Sequence, residues 1–563
     1  MNRRAWLAPA TVALLALAAT VTSISHDFTF DDIYVILRND RVHALSGLWK
    51  LFGQTYWPPQ MGGDGYRPLT MTLFTLQWVA GGGTQWVFHL GNIVLAVATA
   101  VAVYWCARAV LQRDGAWVAG ALFAVHPVHV EATGNVVGQS ELLVALCLSL
   151  AVGHYIRARR HGMLGVRDGA ILLALFALGL LAKEHALVLP GILVAAELTV
   201  IHDEAWRTQA RRTRILALCL VLVAAVYMYV RSLIQKDLAG FAPYPVFVFL
   251  KMDALDRIGM MMTEIPRVAQ LLIFPTRLSG DYSPGEVVIT EGFDAIQLPG
   301  IFICAGLVAL AVALRRRAPV ASFGMWWLMI SYLPVSNLLI PAGFITAERT
   351  LFFPSVGVVL VAGALFERLR RREPRAARWA AVGAMGVLLS LGLARSIDRQ
   401  KVWKNNDVFF DQLVRDQPNG YRAHFLRGRQ VGGAHNRLRE TELEYRRAIR
   451  LFPYDVSMTL VIASDYHRAG MCAPAVALLR WSYAVQKGVT DGRFQYVDCL
   501  AKLGRWRESR EAALEGLRYV DVRQSRGLRR QVASADSALG RRQWRRQAAQ
   551  EEHGKVLGMS QNP

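Results

Sequence analysis

Long apolar runs recur along the first 396 residues and then stop, and this constrains the fold more than any single motif. Most are about 16 to 28 residues long, the length a helix needs to cross a bilayer. The expected spans are 6–23, 84–111, 116–126, 139–157, 168–182, 185–201, 213–233, 298–315, 319–340, 350–367 and 377–395. The third is short and is expected to continue past Pro127. Lipid cannot satisfy open backbone groups, so the expected class is all-α: a polytopic membrane protein of about eleven helices. No comparable run follows Ser396. The expected division is therefore a membrane domain over 1–397 and a helical domain over 398–563.

Arginine sets the expected orientation. The net charge is +22, and much of it lies in short loops between spans, as the positive-inside rule describes. Arg3–Arg4, Arg108 and Arg113, Arg157–Arg167, Arg207–Arg214, Arg315–Arg317 and Arg368–Arg375 alternate consistently if eleven spans start from a cytoplasmic N-terminus. This placement accounts for the charge without a nucleic-acid partner. It makes 251–275 an outer-face amphipathic helix rather than a span, and it puts the C-terminal domain outside. Trp6–Thr22 behind Arg3–Arg4 reads as an uncleaved signal-anchor. No Asn-x-Ser/Thr sequon occurs, which points to a bacterial inner membrane with periplasmic chemistry. In a eukaryote the equivalent place is the lumenal side of the ER membrane. Cys106, Cys147, Cys219, Cys304, Cys472 and Cys499 show no CxxC or zinc-like spacing, so no metal or redox motif is expected.

With that orientation, five polar segments share the outer face: Phe28–Thr70, His126–Glu131, Lys183–His185, Asp281–Tyr282 and Glu348–Arg349. Asp31 and Asp32 sit at a membrane boundary, where charges are costly unless they face water or a polar cleft. The bland alternative is a solvated acidic turn. In extended backbone the two would point to opposite sides, so one faces the chemistry and the other orients loops or a cation. His126, His129 and Glu131 follow Pro127, which suits a first helical turn; HxxHxE lacks the i, i+4 spacing of helical zinc sites. Lys183, Glu184 and His185 interrupt an apolar stretch, either as an ion pair closing a hairpin or as a phosphate site. Arg67 and Arg349 fit phosphate through the two-pronged guanidinium, or anchor at the interface by snorkelling.

Downstream, AIRLFP at Ala448–Pro453 ends like a tetratricopeptide helix pair, with Tyr421 and Gly428 fitting its first helix. Weaker copies include Ala463, Tyr466 and Ala475, then Leu500, Gly504 and Ala512. The alternative is a helical bundle without repeats.

Nine segments occur in a telling order: FDD (Phe30–Asp32), GYRPLT (Gly65–Thr70), FHLGN (Phe88–Asn92), LFAVHPVHVEA (Leu122–Ala132), VGQSELL (Val137–Leu143), KEHA (Lys183–Ala186), LLIFPTRLSGDYS (Leu271–Ser283), LPVSNLL (Leu333–Leu339) and AERTLFFPSVG (Ala347–Gly357). In these the chain resembles the transmembrane and tetratricopeptide-repeat O-mannosyltransferases, which are GT-C glycosyltransferases. The resemblance implies a multi-span enzyme that moves a hexose, mannose in the family, from a polyprenyl- or dolichyl-phosphate to protein Ser/Thr. It implies a catalytic carboxylate in the first outer loop, here Asp31 or Asp32. Arg349, Lys183 and Arg67 are expected to bind the donor phosphate. His126, His129, Glu131, Glu184, Asp281 and Glu348 are expected to shape the sugar and acceptor site. The C-terminal solenoid would hold the protein or peptide acceptor, and no cofactor is required, with a divalent cation left open. Gln139 stands where the family commonly has arginine. The rivals are an envelope ligase or polymerase using a lipid-diphosphate glycan, and a non-enzymatic scaffold or transporter. The first should carry its main polar loop late in the membrane region. A transporter should place ionisable groups at mid-membrane on broken helices.

Overall fold

The computed structural model describes residues 3–160, 162, 164–201, 206–235, 247–250, 252–372, 374–520 and 522–558. Among them the regular structure is helical, and the only β-type pairings are the isolated bridges Tyr282 to Thr346 and Pro284 to Val287. Two compact units divide after Ala423.

In the first unit, six helices among the described residues are long and apolar enough to cross a membrane: Trp6–Ser25, Gln85–Ala107, Val136–Arg160, Thr213–Gln235, Ala295–Leu314 and Arg375–Trp403. This is a multi-pass membrane protein. The other expected spans coincide with shorter or more charged helices: Arg113–Ala124, Val166–Ala182, Leu189–Thr199, Pro319–Tyr332 and Ser355–Arg372. The segment expected to lie along the outer face is the helix Ala254–Ile273, with Pro266 inside it; residue 251 lies outside the described set.

Pro68–Gly81 forms a helix that apolar periodicity did not flag, although its ends carry the usual signals. Pro68 occupies its first turn and Gly82, at φ +59°, ends it. The interior of the unit is packed by Phe123, Phe176, Trp327, Phe352 and Phe353, all buried. The helices Pro319–Tyr332 and Ser355–Arg372 cross at Gly324 and Gly357, where a side chain on either glycine would collide with the other's carbonyl. Small residues permit this close backbone approach between apolar helices. Leu218, Leu222 and Phe302 point outward, as lipid-facing side chains do.

The segment 398–423 belongs to the first unit, with the membrane helices. The second unit, from His424, is a row of helices that includes Leu438–Leu451, Val456–Arg468, Cys472–Val485, Arg493–Lys502 and Trp506–Gly516, then the helix Val522–Gly558. From Val456 onward, each helix packs on the next. Of the repeat-like positions, Ala448, Ala463, Tyr466, Ala475 and Leu500 are buried, and Tyr445 lies over Gly428. Cys472 and Cys499, 27 residues apart, are joined by a disulfide that the cysteine spacing did not reveal.

Candidate active site

The acidic loop is held from below by residues just past the last membrane helix. Asp27 N–H donates to Lys404 O at 2.9 Å, and Phe30 N–H donates to Asn406 Oδ1 at 2.7 Å. Thr29 Oγ1 donates to Trp403 O, and the Phe30 ring stacks on Phe409 with centroids 5.2 Å apart. Phe30 takes φ +56°, a backbone state that a bulky residue adopts only when its surroundings impose it.

Beyond Phe30 the chain turns into a helical segment, Ile33–Leu37, with Asp32 in right-handed helical geometry. The acidic pair therefore sits on a turn rather than in the extended backbone expected from sequence, yet the two carboxylates still diverge. Asp32 is fully buried and accepts from Thr29 N–H at 3.2 Å, Val136 N–H at 3.2 Å and Val137 N–H at 2.9 Å. Burial pushes its pKa up to about 7 against the pull of those three bonds. Asp31 keeps 14% of its side chain exposed, and its Oδ2 lies 3.9 Å from Arg349 Nη2. Burial raises its pKa as well, opposed first by Arg349 and then by Arg422.

Arg349 is aimed by Glu131. The carboxylate accepts from Arg349 Nη1 at 2.5 Å and from Arg349 N–H at 2.8 Å, while 23% of the arginine side chain remains exposed. Pro127 opens a short 3-10 turn that leads into the helix Val130–Gly134, and this places Glu131. The neighbouring imidazoles are engaged elsewhere. His126 Nε2 lies 3.0 Å from Leu272 O, and His129 Nε2 lies 2.8 Å from Ser355 Oγ. Both rings line a small cavity shared with Ala16, Ala100, Phe123 and Phe352.

Arg67 grips Glu184 with two bonds, Nη2 to Oε1 at 2.8 Å and Nε to Oε2 at 3.2 Å. Its guanidinium carbon lies 4.7 Å from the centre of the Tyr56 ring. Lys183 is paired with Glu141, a residue within VGQSELL that sequence reasoning left unassigned because it sits in an apolar helix. Burial lowers the Lys183 pKa, with Glu141 opposing. His185 Nε2 bonds the Ser331 carbonyl at 2.7 Å. Gln139 exchanges hydrogen bonds with Gln77 and donates to Phe88 O at 3.1 Å.

Asp281 accepts from Arg422 Nε at 3.0 Å, while its second oxygen is buried without a hydrogen-bond partner among the described residues. Asp281, Arg422 and Arg67 all contribute to the field at Asp31. Glu348 is buried. Its Oε1 accepts from Ser279 N–H at 2.5 Å and Tyr282 Oη at 2.7 Å, bracing the 279–282 loop. Burial pushes its pKa up to about 8, with Arg399 opposing.

The structure thus brings Asp31, Arg349 and Glu131 together, and the charges of Arg67, Asp281 and Arg422 act on Asp31. Asp32, Glu348, His126 and His129 brace the backbone around them, and Lys183 ties its loop to the helix Gln139–Arg160. Tyr56, Glu141 and Arg422 were not singled out from sequence. Among the described residues no three His, Cys, Asp or Glu side chains gather as a metal site would require.

Residues 68–230 match the family model described as dolichyl-phosphate-mannose-protein mannosyltransferase. Protein O-mannosyl-transferase TMTC1 of Homo sapiens is 25% identical over 510 residues, covering 81% of this chain and 57% of its own. Protein O-mannosyl-transferase TMTC4 of Mus musculus is 26% identical, covering 76% of this chain and 64% of its own. The chain therefore spans about three fifths of the length of the curated relatives it matches. Among solved structures, the Archaeoglobus fulgidus oligosaccharyltransferase AglB, in complex with an inhibitory peptide and a dolichol-phosphate, aligns at TM-score 0.42 with 14% identity, covering 72% of this chain and 57% of its own. ArnT from Cupriavidus metallidurans bound to undecaprenyl phosphate aligns at 0.41 with 12% identity, covering 91% and 80%. Over three quarters or more of its length the chain is similar to the protein O-mannosyl-transferases TMTC1 and TMTC4.

Proposed function

We propose that the protein transfers a hexose, mannose by the family's example, from a polyprenyl- or dolichyl-phosphate to a Ser or Thr hydroxyl of a protein acceptor. The observation that carries this reading is the group Asp31–Arg349–Glu131: a partly exposed carboxylate 3.9 Å from a guanidinium that a second, buried carboxylate holds in place. Asp31 takes the proton of the acceptor hydroxyl as its oxygen bonds to the anomeric carbon. The bond from that carbon to the phosphate oxygen breaks, and the electron pair leaves with the lipid phosphate. Attack from the face opposite the leaving phosphate inverts the anomeric centre.

Arg349 and Arg67 stabilise the charge on the departing phosphate. Each is tied to a buried or half-buried carboxylate, Glu184 for Arg67 and Glu131 for Arg349, and keeps part of its side chain exposed. Lys183 is buried against Glu141 and acts by holding its neighbour Glu184 in place. Asp281 and Glu131 define the walls of the sugar and acceptor site. Membrane lipid surrounds the spans, and nucleic acid has no part.

The reaction faces the non-cytoplasmic side, the bacterial periplasm or the ER lumen. The arginine pattern of the loops supports this, and so does the Cys472–Cys499 disulfide, since such bonds persist in oxidising compartments. The helical unit from His424 serves as a tetratricopeptide-like platform for the acceptor. No cofactor is required in this reading, and transfer measured with and without chelator decides whether a divalent cation takes part. The decisive experiment supplies purified protein in lipid with polyprenyl-phosphate sugars one at a time and follows release of the lipid phosphate. No release with any sugar, in the presence of peptide acceptors, refutes the reading.

A further inference from the structure

Tyr56 stands beside the proposed centre and has no role in it so far. Its side chain is 2% exposed, and its phenolic oxygen has no hydrogen-bond partner among the described residues. A buried hydroxyl in that condition has given up its bonds to water without replacing them. In folded proteins such a group calls for a ligand or a water to complete it.

The backbone at Tyr56 is fixed from two sides. Its N–H donates to Gly65 O at 2.7 Å, and its carbonyl accepts from Arg41 Nη2 at 3.2 Å, while Arg41 Nη1 holds Thr55 O at 2.9 Å. Gly65 lies at φ +74°, and a Cβ there would press on the Tyr56 Cβ at 3.2 Å, so the loop closes over Tyr56 only with glycine. Beneath the Arg67 guanidinium, the ring is fixed in direction too. The charges that act on its hydroxyl are those of Arg67, Asp31, Asp32 and Arg349.

We propose that Tyr56 binds the lipid-phosphate sugar, its O–H donating to a non-bridging phosphoryl oxygen held between Arg67 and Arg349. An anionic oxygen is the acceptor that serves a phenol and two guanidinium groups at once, and bonds to charged acceptors are the stronger kind. The phenol adds a donor without adding a charge, which suits a centre where each arginine already has its carboxylate. This inference rests on the transferase reading above.

The test is Tyr56→Phe, which keeps the ring under Arg67 and removes only the hydroxyl. Full-length protein in lipid nanodiscs is titrated with sugar-free polyprenyl phosphate and with unphosphorylated polyprenol, and turnover is measured with the phosphate-linked sugar. The expected result is about tenfold weaker binding of polyprenyl phosphate, unchanged binding of polyprenol, and a raised KM for the lipid donor with the KM for peptide unchanged. Wild-type affinity for polyprenyl phosphate in Tyr56→Phe overturns the inference, as does a loss confined to the sugar-bearing donor. Asp31→Asn runs alongside. If it is inactive while Tyr56→Phe behaves as wild type, the transferase reading stands and the Tyr56 inference falls. If wild-type protein binds polyprenyl phosphate no better than polyprenol, both fall.

Discussion

Arg349 lies between two carboxylates on unequal terms, 2.5 Å from Glu131 and 3.9 Å from Asp31. The close contact fixes the guanidinium, and in the proposed mechanism the longer one leaves Asp31 free to take a proton. Asp31→Asn is therefore expected to lower transfer by about 10²- to 10⁴-fold, the usual worth of a general base. Its thermal unfolding midpoint should stay near wild type. Retained turnover in Asp31→Asn removes the assignment.

Asp32 should behave in the opposite way. Its carboxylate holds three backbone N–H groups, one of them 3 residues away and the others 104 and 105 residues away in sequence. Asp32→Ala leaves all three unsatisfied in a buried place, at about 1–3 kcal/mol for each group. The variant is expected to unfold at lower temperature and to lose activity in step with folded protein, which a ligand-binding assay normalised to folded fraction would reveal.

Glu131→Gln tests orientation. The Arg349 backbone and side chain both rest on this carboxylate. Loosening it should cost about 10²-fold in turnover, as misplaced catalytic groups do, with a smaller effect on acceptor KM. A change only in acceptor KM would place Glu131 with the acceptor instead.

The Lys183–Glu141 pair, nearly fully buried, should show strong coupling. Lys183→Met or Glu141→Leu alone strands the other charge and should cost about 3–5 kcal/mol, whereas the double variant recovers most of it. Additive losses in unfolding measurements would show that the two do not act as a pair.

Glu348 predicts a pH dependence. Burial raises its folded-state pKa from 4.5 to about 8, so the folded protein keeps a proton that the unfolded chain releases. That contribution is complete below about pH 4.5 and disappears as pH rises through 8. Glu348→Gln should flatten the fall in unfolding midpoint across this window and exceed wild type at pH 9. An unaltered slope would mean that other groups set it.

Much of this was legible in the primary structure, for identifiable reasons. All eleven apolar runs became helices because lipid leaves an apolar run few alternatives. Asp31, Arg349 and Glu131 stood out as charges at span ends. Telling Asp31 from Asp32 was out of reach, since the difference lies in which carboxylate meets the Val136 and Val137 N–H groups. Glu141 was hidden because a single acid within VGQSELL does not break an apolar pattern. Tyr56 reads as one more aromatic in TYWPP until its unpaired hydroxyl is seen in place. The disulfide escaped because a 27-residue gap between two helices matches no motif.

Asn406 and Phe409 hold Phe30 in its left-handed turn, and so the reach of the minimal working fragment is longer than the membrane helices suggest. A truncation ending at Gln400 would keep most of the last membrane helix and still remove the Lys404, Asn406 and Phe409 contacts that hold the loop before Asp31. Grafting a foreign acceptor platform onto this chain should therefore use a junction near Ala423, so that the tether travels with the membrane part.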